Sequence, residues 1–146
     1  MKVSSSATIQ APRDRVFAAL VDPDVLRQSI PGCEELTPIG EDRYEARLKI
    51  GVAGLKGTYS GRAELREKHA PESFTLAFSG KGGSGFLQGA AAIRLADEDV
   101  ATRVTCDADV QVGGLIAAVG SRLIEATARK LTDDFFRRLA DQIASR

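Results

Sequence analysis

The sequence has 146 residues, of which 43% are hydrophobic, and this length and composition predict one globular domain around a single core. Lysine and arginine total 20, as do aspartate and glutamate, so there is no net positive charge to attract nucleic acid. The longest apolar run, Gly113–Gly120, is far shorter than the roughly 20 residues that cross a bilayer, so we expect a soluble, unexported, cytoplasmic protein.

The chain opens with a strand followed by two short helices. "KVSSSATIQ" (Lys2–Gln10) is strand-like, and Pro12 suits the first turn of a helix. The apolar residues of "PRDRVFAALVDP" recur at helical spacing, which predicts the first helix. Asp22-Pro23 ends that helix and offers a cap to a second one, "PDVLRQSI".

Between Pro31 and Gly114 the sequence consists of alternating apolar and polar runs separated by turn residues. This spacing is typical of an antiparallel sheet in which consecutive strands are neighbours. The predicted strands are Glu34–Ile39, Arg43–Val52, Leu55–Lys68, Ser73–Ser79, Gly85–Leu95 and Ala101–Val112.

From Gly114 onward, apolar residues recur every three to four positions with charged residues between them, which predicts one long amphipathic helix. At 1.5 Å per residue, about 30 residues reach roughly 45 Å, enough to cross a whole sheet. We therefore expect a curved sheet wrapped around this helix. The apolar stripe to be buried is Ile116, Val119, Leu123, Leu131, Phe135, Leu139 and Ile143.

The glycine run Gly80, Gly82 and Gly85 has the G-x-G-x-x-G spacing of dinucleotide-binding sites. Such a site needs a helix that opens at the last glycine and an acidic residue about 20 positions later. The residues after Gly85 instead alternate with a period of two, which is typical of a strand. We therefore interpret the run as a flexible hairpin that binds no nucleotide.

Alternate residues of the predicted strands form one largely apolar face, which we expect to point at the helix. Small residues recur in the middle of this face and remove volume from a packed interior, so the sequence predicts an apolar hollow. The alternative is that the glycines only let a strongly bent sheet approach the helix closely. The inward rows are Tyr44, Ala46, Leu48, Ile50 and Val52; Leu55, Gly57, Tyr59, Gly61, Ala63 and Leu65; Phe74, Leu76 and Phe78; Leu87, Gly89, Ala91, Ile93 and Leu95; and Val104, Cys106, Ala108 and Val110.

The inward rows carry little that could do acid–base chemistry. Glu45, Asp107 and Asp109 alternate outward, and His69 lies in a turn. Only the hydroxyls of Tyr44 and Tyr59 could hydrogen-bond a ligand carbonyl, the alternative being that both are ordinary core aromatics. We expect no catalytic residue.

The two cysteines, Cys33 and Cys106, lack metal-ligand spacing, and with His69 as the only histidine they cannot form an ordinary zinc site. We expect no metal and reduced thiols. Cys106 is interpreted as a buried, inert thiol, with a nucleophile as the alternative.

Several separate motifs resemble one family in order and spacing. They are "SIPGCEEL", "LKGTYSGRAEL", "GKGGSG", "ATRVTCDADVQVGG" and "GSRLIEATARKLTDDFF". The chain is similar over nearly its whole length to the CoxG family of carbon monoxide dehydrogenase subunits, which is part of the START-like (SRPBCC) superfamily. The resemblance implies an α+β helix-grip fold, with a curved antiparallel sheet around a long C-terminal helix, two short helices after the first strand, and residues 1–146 as one ligand-binding domain.

The resemblance also implies a non-catalytic accessory protein that binds a lipid or quinone and serves a molybdenum-containing dehydrogenase, with no other cofactor. The alternatives are a START-like enzyme of the cyclase or hydrolase type, and a docking module with a vestigial cavity. A peripheral position at the inner face of the cell membrane fits the first hypothesis. Longer family members carry an apolar tail after this domain, and this sequence ends at Arg146, which leaves tail anchoring unsupported here.

Two sets of residues follow as candidates for the site. The ligand-binding set is Tyr44, Leu48, Gly57, Tyr59, Phe78, Gly89, Ala91, Cys106, Val119 and Leu123. A second set should form an apolar rim where the glycine hairpin, the "IPGC" turn and an uncharged helix start meet, and such rims usually contact a partner or a membrane. The rim set is Ile30, Phe86, Leu115 and Ile116, although Leu115 and Ile116 could instead pack under the sheet.

Overall fold

The computed structural model describes residues 1–51 and 55–146. It contains an antiparallel sheet of seven strands in the order β1-β7-β6-β5-β4-β3-β2. Every strand from β2 to β7 lies beside the next strand of the chain, as predicted, and β1 pairs with β7. The strands are β1 Lys2–Ile9, β2 Cys33–Gly40, β3 Arg43–Ile50, β4 Gly57–His69, β5 Ser73–Gly82, β6 Gly85–Glu98 and β7 Ala101–Gly113.

Two short helices follow β1, as expected. They are α1 (Arg13–Leu20) and α2 (Pro23–Ser29). The Asp22 side chain accepts a hydrogen bond from the Asp24 backbone N–H at 2.9 Å, so Asp22 caps α2. The long helix α3 (Ser121–Ala144) closes the fold and packs on α1, α2 and β1. The helix-grip prediction is confirmed.

The predicted start of the long helix is wrong. Residues Gly114–Val119 form a separate 3₁₀ helix, and α3 begins only at Ser121. Gly114 and Gly120 have φ values of 78° and 95°, which a continuous α-helix cannot contain. With 24 residues, α3 is about 36 Å long rather than 45 Å.

Strand register confirms the predicted inward face. Residues that oppose each other in an antiparallel pair point to the same side of the sheet. Tyr44 opposes Ala63, Ala63 opposes Phe78, Phe78 opposes Gly89, and Gly89 opposes Val110. The predicted rows therefore share one face, except that Val52 lies outside the described residues.

Two clusters of buried side chains cover this face. The main cluster joins α1, α2 and the C-terminal half of α3 to the sheet, and includes Phe17, Phe74 and Leu139. The minor cluster consists of Tyr59, Ile116 and Ile124, with partly buried neighbours around them.

The clusters lie toward opposite ends of the strands. We call the end with the turns at 41–42, 70–72 and 99–100 the α1 end, because Ala11, just before α1, accepts a hydrogen bond there from the Thr102 hydroxyl. The glycine end has the β3–β4 connection, the β5–β6 turn at 83–84 and the 3₁₀ helix. The main cluster reaches the α1 end, whereas the minor cluster closes the glycine end.

Candidate functional site

One row of inward positions runs across the sheet between the two clusters without a fully buried member. Each residue of the row opposes the next one across a strand pair, so all of them point toward the helix side. The row is Leu36, Ala46, Gly61, Gly80, Leu87 and Val112, and all six are half-buried. A tightly packed interior would bury the middle of this face.

The apolar stripe of α3 has the same weak middle. Ile124 is buried in the minor cluster, and Leu139 is buried in the main cluster. Between them along the helix, Leu131 and Phe135 are only half-buried. Because these residues lie between the clusters, helix and sheet cover each other least at the level of the half-buried row.

The two inward tyrosines stand on either side of this row, in different clusters. The Tyr59 hydroxyl donates a hydrogen bond to the Leu55 carbonyl oxygen at 2.8 Å, so it helps to close the glycine end. Tyr44 is 8% exposed and belongs to the main cluster. Burial, followed by the nearby Asp42 carboxylate, raises the pKa of the Tyr44 hydroxyl, which places this hydroxyl toward the α1 end.

The predicted glycine positions do not all contribute empty space. A Cβ atom at Gly61 would overlap the Ser79 carbonyl oxygen, and one at Gly89 would overlap the Asp109 carbonyl oxygen. These glycines are therefore required by the close approach of neighbouring strands. Gly57 is exposed at the start of β4, with φ 147°.

The other predicted ligand-binding residues occupy three environments. Ala91 is 4% exposed and part of the packed main cluster. Phe78 and Cys106 are half-buried against the main cluster, and Val119 is half-buried against the minor one. Leu48 is half-buried on the inward face, and Leu123 is 43% exposed.

The prediction that Ile116 lies at an exposed rim is wrong. Its side chain is 1% exposed in the minor cluster, and its backbone N–H donates to the Ser84 carbonyl oxygen at 2.8 Å. This bond ties the 3₁₀ helix to the β5–β6 hairpin. Ile116 thus packs under the sheet, the alternative that the sequence had left open.

The remaining rim residues are accessible to different degrees. Leu115 is 73% exposed and Phe86 is 48% exposed. Phe86 points to the outer side of β6, where its ring covers the space in which Gly113 lacks a side chain. Ile30 is half-buried at the end of α2, and its carbonyl oxygen accepts from the Cys33 backbone N–H.

The inner face offers little for acid–base or thiol chemistry. Burial, with a further contribution from the Asp107 carboxylate, raises the pKa of the Cys106 thiol to about 11, so it is protonated at neutral pH. Glu45 points outward to an ion pair with Arg62, at 3.2 Å between side-chain oxygen and nitrogen. Within the described residues, His, Cys, Asp and Glu side chains form no cluster able to hold a metal ion.

The glycine run forms a hairpin, as predicted. Gly82 opposes Gly85, and β6 rather than a helix begins at Gly85. The helix N-terminus that would receive a pyrophosphate is therefore missing after this glycine.

Ser29 is a buried polar residue that the sequence reasoning missed. It is fully buried on α2, and its hydroxyl has no hydrogen-bond partner among the described residues. The available signal was its spacing of four residues from the buried Val25, which puts both on one helix face.

Two open grooves, of about 730 and 710 Å³, lie on the outer face of the sheet. They share Arg62, Ser79 and Gln88, whose side chains alternate away from the helix. Because they lie on the other side of the sheet, these grooves do not correspond to the predicted hollow, which stays a prediction.

Comparisons with known proteins agree on family and fold. A family model for CoxG, which is described as a carbon monoxide dehydrogenase subunit, matches residues 6–144. A conserved protein of known structure from Geobacillus kaustophilus is 34% identical to this chain, with a TM-score of 0.96 over 99% of this chain and 96% of the other. A search of curated proteins found no match.

More distant structures share the fold. A START superfamily protein from Mycobacterium smegmatis has a TM-score of 0.78 at 11% identity, over 99% of this chain and 97% of the other. The Zhui aromatase/cyclase from a Streptomyces species has a TM-score of 0.70 at 18% identity, over 99% and 93%. In the described part of this chain, no helix combines the length and apolar character needed to span a bilayer.

Proposed function

Since the chain belongs to the CoxG family of carbon monoxide dehydrogenase subunits, we propose that it binds a hydrophobic small molecule, a lipid or a quinone, between its sheet and α3. In this proposal the protein is a carrier that presents its ligand to an oxidoreductase. Binding would depend on the shape and apolar character of the interior rather than on a reactive side chain.

The observation that carries the proposal is the half-buried row from Leu36 to Val112, together with the half-buried middle of the α3 stripe. Apolar side chains that are buried at both ends of an interface and accessible in its middle favour a ligand as the missing contact. Each Å² of apolar surface that a ligand covers contributes about 25 cal/mol. An apolar ligand thus has a reason to bind here.

The proposed partner is a molybdenum-containing dehydrogenase, and the support is the family to which the chain belongs. An isoprenoid quinone fits this setting, because it is apolar and accepts electrons from such enzymes. The carrier would contact the inner face of the cell membrane, since such ligands reside in lipid.

Native mass spectrometry of freshly purified protein tests the ligand class. We expect a bound mass of lipid or quinone size that is released by organic solvent. Exchange with added short-chain menaquinone should then displace phenylnaphthylamine, a fluorescent apolar probe, from the purified chain.

Filling the interior tests the location. Ala63 is half-buried on the inward face, and Ala90 is exposed on the outward face. Ala63→Phe should weaken probe and menaquinone binding at least tenfold because the ring occupies the gap, whereas Ala90→Phe should leave binding unchanged. Circular dichroism controls for folding.

Equal binding by both variants would place the ligand elsewhere, with the outer-face grooves as the first alternative. An enzyme of the cyclase type makes a different prediction: product formation would fall when one side chain, such as Cys106, is replaced without loss of binding. Such a result would overturn the carrier proposal.

A further inference from the structure

The ionisable side chains are segregated between the two ends of the sheet, although the chain has no net charge. The turns of the α1 end carry Glu41, Asp42, Glu72 and Asp99. The segments 49–57, 80–86 and 110–124, which form the glycine end, contain no aspartate or glutamate at all. The molecule is therefore polar along the strand direction.

The glycine end has four exposed cations that are not neutralised locally. They are Lys49, Lys56, Lys81 and Arg122. None of the four forms an ion pair with a described residue, whereas Lys68 at the α1 end pairs with Asp42 at 2.8 Å between Nζ and the carboxylate oxygen. Unpaired charges of one sign keep their full attraction for an opposite surface.

Exposed apolar side chains stand among these cations. Phe86, Leu115 and Leu123 are 48%, 73% and 43% exposed. Lys81 opposes Phe86 on the outer side of the β5–β6 hairpin, and Arg122 directly precedes Leu123. This combination of apolar side chains with flanking lysine and arginine is typical of surfaces that lie in the interfacial layer of a membrane.

We propose that the glycine end is a docking surface for anionic phospholipid. It would insert Phe86, Leu115 and Leu123 among the acyl chains while the four cations contact lipid phosphates. The proposal deepens the proposed function, on which it rests, by naming the surface through which an apolar ligand is exchanged. An acidic protein would attract the cations as well, but it would give the three apolar side chains no comparable environment.

The magnitudes are measurable. One lysine or arginine near an anionic bilayer contributes about fivefold to the binding constant. Removing three such charges should therefore weaken binding about 100-fold, and reversing them should weaken it further. Binding should also fall as salt rises from about 0.1 M to about 1 M, because the Debye length shortens from about 10 Å to about 3 Å.

The test is flotation of the full chain with vesicles of phosphatidylcholine alone, or of equal parts phosphatidylcholine and phosphatidylglycerol. The rim variant combines Lys56→Glu, Lys81→Glu and Arg122→Glu. The matched control combines Arg94→Glu, Lys130→Glu and Arg138→Glu, which are exposed and form no ion pair with described residues. Both variants change the net charge equally, so general repulsion by the anionic bilayer is the same for both.

We expect the unmodified chain and the control to float with the phosphatidylglycerol vesicles in low salt, and the rim variant not to float. Leu115→Ser, with the cations intact, should reduce binding severalfold. Equal loss in the rim variant and the control would overturn the proposal. So would equal binding to both vesicle types, or binding to neither, and the latter result would favour an acidic protein as occupant.

The ligand assay separates this proposal from the proposed function. The rim variant should bind phenylnaphthylamine in solution with unchanged affinity, since its three substitutions lie outside the inward face. A rim variant that floats normally would contradict the docking surface alone. A chain that binds vesicles but never the probe would contradict the ligand hypothesis alone.

Discussion

At the α1 end, Phe17 packs edge-on against Phe74 with ring centroids 5.6 Å apart, and Leu139 of α3 is completely buried beside them. At the glycine end, closure depends on a small cluster around Tyr59 and Ile116, held by single hydrogen bonds to the Leu55 and Ser84 carbonyl oxygens. Two helices cover the first end, whereas a 3₁₀ helix and a hairpin cover the second. The difference teaches that stability and access can be assigned to opposite ends of one sheet.

The comparison carries over to electrostatics. The acidic turns of the α1 end are partly neutralised, for example by Lys68 on Asp42 and Arg13 on Asp97. The cations of the glycine end lack such partners among the described residues. An end that is lightly closed, basic and partly apolar is suited to opening against a surface, and an end with a packed aromatic core is suited to staying shut.

The largest expected effect compares two leucines on α3. Leu139→Ala should lower the free energy of unfolding by about 2–5 kcal/mol, because the side chain is fully buried in the main cluster. Leu131→Ala should cost roughly half as much or less, because Leu131 is only half-buried between the clusters. Urea unfolding monitored by circular dichroism measures both. Equal losses would mean that the middle of the interface is as tightly packed as the α1 end.

The second comparison uses one hydrogen bond from each end. Thr102 is fully buried, and its hydroxyl donates to the Ala11 carbonyl oxygen at 2.8 Å. Thr102→Val should cost about 1–3 kcal/mol, since it leaves that carbonyl unsatisfied. Tyr59→Phe should cost about 1 kcal/mol, because the half-buried Leu55 carbonyl can turn to water.

The two variants should also differ in ligand exchange. Tyr59→Phe loosens the glycine end, so it should speed release of phenylnaphthylamine, whereas Thr102→Val should not. Stopped-flow displacement measures the rates. Faster release from the Thr102 variant alone would place the entrance at the α1 end.

Sequence alternation was sufficient to predict the inward face, because a period of two fixes which residues share a side wherever the strand ends. Tyr44 and Ala63 were placed together for this reason, and they oppose each other in the sheet. The start of α3 could not be predicted in the same way. "LIAAVG" has helical spacing in either case, and the break depends on the positive φ of Gly114 and Gly120.

The details of the site depended on contacts distant in sequence. Whether Gly89 leaves space or receives a neighbour is decided by the Asp109 carbonyl on β7. Ile116 is buried because Ser84, more than thirty residues earlier, accepts its N–H. Local patterns carry no information about either contact, so the residue types were identified correctly while their roles were not.

The two thiols give a third comparison, since Cys106 borders the main cluster and Cys33 begins β2 at the glycine end. Burial raises the pKa of Cys106 from 9.0 to about 11. Burial also raises that of Cys33, where the charge of Arg27 opposes the rise. Alkylation of single-cysteine variants as a function of pH should therefore give a higher midpoint for Cys106. The reverse order would indicate that the main cluster is the more accessible one.

The same shift makes stability depend on pH. Between pH 9 and about 11 the folded Cys106 keeps a proton that the unfolded thiol, with a pKa of 9.0, has lost. The stabilisation is complete below pH 9 and is lost as pH rises through about 11. Unfolding free energies of the native chain should thus fall more steeply over this range than those of Cys106→Ala.

The smallest expected effect is at Ser29, and its sign is the informative part. A buried hydroxyl without a partner opposes folding, so Ser29→Ala should raise the free energy of unfolding by up to about 1 kcal/mol. Ser4→Ala, at an exposed hydroxyl that donates to the Asp107 carboxylate, is the control and should change stability by less than about 0.5 kcal/mol. Guanidinium unfolding resolves the difference. If Ser29→Ala destabilises the chain instead, the hydroxyl has a partner in solution, and the part of the interior next to α2 is wetter than the packing of the α1 end implies.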